Sequence, residues 1–121
     1  MPPPPAWKKT FEQRFEDTIQ DARSQGWDTA SATHIKPILS KLCQLILSRQ
    51  EYLDYTLINN DDGTFTLTTR HQLKGYNDYL SLVYDEDDGQ VDILFDRYHD
   101  RQQVLHLCGD LDTIRNGICN A

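Results

Sequence analysis

Two periods divide the chain. In the first half apolar residues recur three or four apart: Phe11, Phe15, Ile19 and Ala22 form one stripe, and Ile35, Ile38, Leu39, Leu42 and Ile46 form a second, broadened by Cys43, Leu45 and Leu47. Each stripe predicts an amphipathic helix. Thr10 and Gln13 stand where a capping box would start the first, and Gly26 offers its stop. Pro37 suits the first turn of the second, where a missing N–H costs nothing, and that helix should run to about Arg49. His34, near its start, fits a capping or surface role.

From Glu51 onward the period becomes two. Leu53, Tyr55 and Leu57 alternate with polar residues, Asn59-Asn60-Asp61-Asp62-Gly63 interrupts, and Phe65 and Leu67 then alternate with threonines, which predicts a hairpin. A two-residue turn at Asp62-Gly63 would set Leu57 against Thr68 and put the apolar residues on opposite faces. A three-residue loop, Asp61-Asp62-Gly63 with a left-handed glycine, sets Leu57 against Leu67 and puts them on one face, so we prefer it. A second hairpin follows around Asp85-Glu86-Asp87-Asp88-Gly89. With Asp88-Gly89 as a two-residue turn, Tyr84 pairs with Ile93 and Leu82 with Phe95, and Leu80, Leu82, Tyr84, Val91, Ile93 and Phe95 share a face.

Val104 to Cys108 reads as a fifth strand, and Asp110 as the N-cap of a short helix with Leu111, Ile114 and Ile118 on its stripe. The expected fold is α+β: two N-terminal helices packed on a four- to five-stranded antiparallel meander sheet, with a short C-terminal helix. Pro2 to Pro5 suit an extended polyproline tail, so we divide the chain into a Pro-rich tail over 1–9 and a single domain over 10–121.

Charge changes this picture in one region. Residues 1–50 carry seven Lys and Arg against five Asp and Glu, whereas residues 51–100 carry three against twelve, more than the whole of the chain's net charge of −7. Such a surface repels phosphates, which argues against nucleic acid, and attracts a basic protein or a cation. No apolar run is long enough to span a bilayer, and the start has no leader pattern. Cys43, Cys108 and Cys119, odd in number and widely spaced, suit reduced thiols, so we expect a cytoplasmic protein without a membrane partner.

The face of the second hairpin opposite its core side carries Tyr79, Ser81, Val83, Asp85 and Asp87 on one strand and Asp92, Leu94, Asp96 and Tyr98 on the other. The pairing expected above sets Asp85 directly across from Asp92. Three readings compete: a solvated face, a contact surface with a charged rim, and a divalent cation held by Asp85, Asp87 and Asp92. The spacing does not match an EF-hand loop. His106 and Cys108 share one side of a strand but lack further zinc ligands at close spacing, and no nucleotide, dinucleotide, zinc-protease or hydrolase motif occurs.

We therefore expect no cofactor, no metal and no catalytic residue. The leading expectation is a small non-enzymatic protein-binding module, an adaptor, accessory factor or inhibitor of the immunity type. Its binding residues would be Tyr79, Val83, Asp85, Asp92, Leu94, Asp96 and Tyr98, and its partner a protein with a basic surface or a second copy of the chain. The alternative is a small-molecule binder or enzyme with a pocket between helices and sheet, lined by Tyr55, His71, Tyr84, His106 or Asp54.

Overall fold

A computed structural model describes residues 6–47, 53–71 and 75–120 of the 121-residue chain. The order is α1 (Ala6–Ser24), α2 (Ala32–Leu47), β1 (Leu53–Asn59), β2 (Phe65–His71), β3 (Tyr76–Asp85), β4 (Gln90–His99), β5 (Gln102–Gly109) and α3 (Leu111–Cys119). All five strands form one antiparallel meander in the order β1-β2-β3-β4-β5. The fold is α+β, as the two periods predicted.

Both helix stripes are core. Phe11, Phe15, Ile19 and Ala22 of α1 are buried with Ile35, Leu39, Leu42, Cys43 and Ile46 of α2 against Phe65, Leu67, Leu80, Leu82, Ile93 and Phe95 of the sheet. Burial pushes the Cys43 thiol up to about 12, so it stays protonated. Ile114 of α3 joins the same cluster, and Asp110 caps that helix by accepting a 2.9 Å bond from the Thr113 N–H. Gly117 is what lets α3 lie so close to β5: a Cβ there would stand 2.5 Å from Leu107 Cδ1. All three helices therefore cover one face of the sheet. The opposite face has no layer over it among the described residues.

Two helix starts differ from expectation. α1 begins at Ala6, so residues 6–9 are helix rather than tail and Thr10 is interior rather than a cap. Ala6, Lys8 and Lys9 are strong helix formers, and the helix has no need to wait for a hydroxyl. Residues 1–5 lie outside the described residues. α2 begins at Ala32, which leaves Pro37 beyond the first turn, where it withholds one helical hydrogen bond. Burial of Ala32 and Ile35 holds the preceding turn on the core, and Thr33, whose carbonyl loses its donor, is exposed to water. The expected run to Arg49 passes beyond the described residues. His34 is exposed in the first turn and stacks on Tyr84, with ring centroids 3.9 Å apart.

The hairpins resolve differently. In the first, Leu57 pairs with Leu67, and Asn60 donates to the Thr64 carbonyl around the three-residue loop Asp61-Asp62-Gly63, with Gly63 at φ 87°. That is the preferred register. In the second, Asp85 pairs with Gln90, Leu82 with Ile93 and Leu80 with Phe95, so the ladder is shifted by two residues from the expected one. The loop has four residues, 86–89, closed by a bond from the Gly89 N–H to the Asp85 carbonyl with Gly89 at φ 69°. Asp85 Oδ1 and Asp88 Oδ1 accept from the N–H groups of Asp87 and Gln90, which draws these carboxylates into the turn. Both hairpin corners carry a left-handed glycine, but only the first has the expected length.

Candidate interaction surface

Register places the open face residue by residue. One row across the sheet reads Ile58, Thr66, Ser81, Leu94 and Cys108, and the next reads Thr56, Thr68, Tyr79, Asp96 and His106. Arg70, Asn77, Tyr98 and Gln103 follow at one end, and Val83 with Asp92 lies at the other. Alternation puts these side chains opposite the buried set. Ile58, Tyr79, Val83 and Leu94 are 48, 46, 42 and 39% exposed, and all four belong to this face.

Six of the seven expected binding residues come together here. Tyr79 sits directly across from Asp96 and makes an edge-to-face contact with Tyr98, centroids 5.5 Å apart. Leu94 lies between Ser81 and Cys108, and Val83 pairs with Asp92. Asp85 is the exception: it pairs with Gln90, not Asp92, and its carboxylate is occupied by the turn. The longer loop removes the like-charge pair that the shorter one would have forced, and with it the juxtaposition of Asp85 and Asp92 on which a shared cation was considered. Among the described residues no three His, Cys, Asp or Glu side chains converge on a point where a metal ion could sit.

Asp96 organises its surroundings. Its Oδ1 accepts from Gln103 Nε2 at 2.7 Å and bonds His106 Nδ1, so two side chains of β5 are held over a carboxylate of β4. Asn77, Tyr79, Asp96, Tyr98 and Arg101 line a shallow depression of about 390 Å³. Arg101 belongs to the two-residue turn Asp100-Arg101, whose φ values of 51° and 67° are left-handed without a glycine. A His–Asp pair can orient an imidazole, and here it lies on an open face beside that shallow depression. Sequence reasoning placed His106 among pocket liners and missed Ile58, Asn77, Gln103 and Arg101. Continuing the alternation back along β3 would have found Asn77 and carrying it across to β5 would have found Gln103, whereas Ile58 lies two strands away on β1 and Arg101 in the turn between β4 and β5.

Of the residues considered for a pocket between helices and sheet, the three whose side chains are described do not converge. Tyr55 is buried on the helix side with the Arg14 guanidinium 4.3 Å from its ring centroid, Tyr84 is stacked under His34, and His106 is on the other face. The side chains of Asp54 and His71 lie outside those described. The helix side does hold one charged pair. Arg97 donates from Nε and Nη2 to Asp78 at 2.8 and 3.1 Å, and Asp78 is fully buried. Arg97 thereby forms a two-pronged bond that compensates a carboxylate inside the fold.

No helix among the described residues is long and apolar enough to cross a membrane. Compared with family models, curated proteins and solved structures, the chain matches none.

Proposed function

We propose that the chain is a small acidic, cytoplasmic, non-enzymatic module that binds another protein through the open face of its sheet. The observation that carries this reading is the clustering of Ile58, Tyr79, Val83 and Leu94, each at least 39% exposed, on one face. The fold gains little from apolar side chains in water, whereas a partner that covers them gains their burial. Tyrosines at the centre with carboxylates around them have the composition of an interface core and rim.

Charge selects the partner. Asp92 and Asp96 lie on the face, and Asp85, Glu86, Asp87 and Asp88 stand at its end, against Arg70 and Arg101. Two such faces would repel each other, while a basic protein surface would be drawn in over a Debye length of about 8 Å at physiological salt. An adaptor, an accessory factor and an inhibitor that occupies a basic site all belong to this class.

A photo-reactive amino acid at Leu94 should capture a partner that the same group at Gln20, exposed on α1, does not. Capture should fall in Asp92→Lys, and with the captured partner Tyr79→Ala should weaken binding by about 1–2 kcal/mol. Equal capture at both positions, or capture indifferent to Asp92→Lys, would overturn the proposal.

A further inference from the structure

Asp78 and Asp96 are both mostly buried carboxylates of the sheet, and they are bonded differently. Asp78, on the helix side, receives the Arg97 guanidinium on both oxygens at 2.8 and 3.1 Å. That guanidinium also packs on aromatic rings, 5.3 Å from the centroid of Tyr76 and 5.5 Å from that of Phe95. Asp96, on the open side, has a side chain only 17% exposed. Among the described residues its Oδ1 alone is engaged, by the Gln103 amide and the His106 imidazole, and no Arg or Lys pairs with it.

The surroundings of Asp96 otherwise repeat those of Asp78. Across the β3–β4 ladder Asp96 pairs with Tyr79 and Tyr98 with Asn77, so these four side chains form a square on the open face. The Tyr79 and Tyr98 rings meet at 86° and line the depression of about 390 Å³ together with Asp96, Asn77 and Arg101. A planar cation stacked on one ring turns its N–H edge toward the other. A carboxylate withdrawn from water gains most from a cation that also donates hydrogen bonds to it. Arg101 does not take that part: it lines the depression but forms no ion pair with a described carboxylate, and Asp100 stands beside it in the turn.

We infer that Asp96, Tyr79 and Tyr98 form a binding site for an arginine side chain of the partner. This rests on the reading of the open face as a surface for a basic protein, and it names the residue by which that protein is recognised. The guanidinium donates to Asp96 Oδ2 and packs on the tyrosine rings, as Arg97 does with Asp78, Tyr76 and Phe95. Arginine fits better than lysine. Its planar fork stacks on aromatic rings and is weakly hydrated, so a depression open to water can hold it, whereas an ammonium is a compact, strongly hydrated point charge. An acidic side chain would gain Arg101 but be repelled by Asp96 and by the run from Asp85 to Asp88 at the end of the face.

NMR titration of the full chain with the peptides acetyl-Gly-Gly-X-Gly-Gly-amide, where X is arginine, citrulline, lysine or glutamate, tests this site. The arginine peptide should bind with a Kd on the order of millimolar and shift the amides of Tyr79, Asp96, Tyr98 and Gln103. Citrulline keeps the shape and loses the charge, so it should bind about tenfold more weakly, with lysine between the two. Asp96→Asn keeps an acceptor for Gln103 and His106 and should erase the preference for arginine over citrulline. Arg101→Glu should tighten the arginine peptide about two- to threefold, and it carries the test if Asp96→Asn folds poorly. An arginine peptide that shifts none of these amides, citrulline or lysine bound as tightly as arginine, glutamate bound more tightly, or weaker arginine binding in Arg101→Glu would each overturn the inference. The two readings fail separately. A partner captured at Leu94 that binds Asp96→Asn as tightly as wild type would overturn the arginine site and leave the surface reading intact. Equal capture at Leu94 and Gln20, with the arginine peptide still bound at Asp96, would overturn the surface reading and leave a site for a guanidinium.

Discussion

The two faces of the sheet are made by alternate residues of the same strands, yet they obey different rules. On the helix side Phe65, Leu67, Leu80, Leu82, Ile93 and Phe95 are all at most 2% exposed, and even a carboxylate, Asp78, is buried beside its guanidinium. On the open side residues of similar size, Tyr79, Val83 and Leu94, stay about 40% exposed or more. Apolarity on the first face is explained by folding. On the second it is not, because burying it needs a layer that the described chain does not supply. The difference separates residues that stabilise the protein from residues free to serve an interaction.

Mutation should divide along the same line. The largest loss should come from Phe95→Ala and Leu82→Ala, which open cavities on the helix side and should cost about 3–5 and 2–5 kcal/mol in urea unfolding. Asp78→Ala should follow at about 3 kcal/mol, because it strands a mostly buried guanidinium; replacing both members, Asp78→Leu with Arg97→Met, should cost less than the single change. A double variant as unstable as Asp78→Ala would mean that packing rather than charge sets this site.

Smaller effects should sharpen the comparison. Gly89→Val forces a branched side chain into a left-handed corner and should cost about 1–3 kcal/mol, while Asp87→Asn in the same loop should leave the melting temperature nearly unchanged. Tyr79→Ala and Leu94→Ala on the open face should change stability by no more than about 0.5 kcal/mol. A loss comparable to that of Leu82→Ala would remove the distinction between the faces.

The smallest expected effect is a pH dependence at two turns. Hydrogen bonds from the Thr64 hydroxyl and N–H hold the Asp62 carboxyl below its ordinary pKa, and bonds from the Thr113 N–H and hydroxyl do the same for Asp110. A carboxylate depressed by folding stabilises the protein above its unfolded pKa, and that contribution disappears as pH falls through the lower folded value. The melting temperature should therefore decline below the ordinary carboxylate range. Asp110→Asn keeps a capping side chain but cannot titrate, so its decline should be shallower. An identical decline would assign the acid sensitivity to other carboxylates.

Period alone determined which residues make helices, which make strands, and which side of each strand enters the core. It also settled the first hairpin, because two- and three-residue loops differ by one residue and exchange the faces. It could not settle the second. Two- and four-residue loops differ by two residues, and a pattern of period two is unchanged by that shift, so Leu82 faces the core whether Phe95 or Ile93 lies opposite. Local turn chemistry decided, through the Asp85 and Asp88 carboxylates bonded to nearby N–H groups. The Asp78–Arg97 pair, the bond from Asp96 to His106 and the helix sealing the β1 edge join residues far apart in the chain, and no local pattern encodes them. They exist because the meander sets β3, β4 and β5 side by side and the helices close over one face, which only the folded chain specifies.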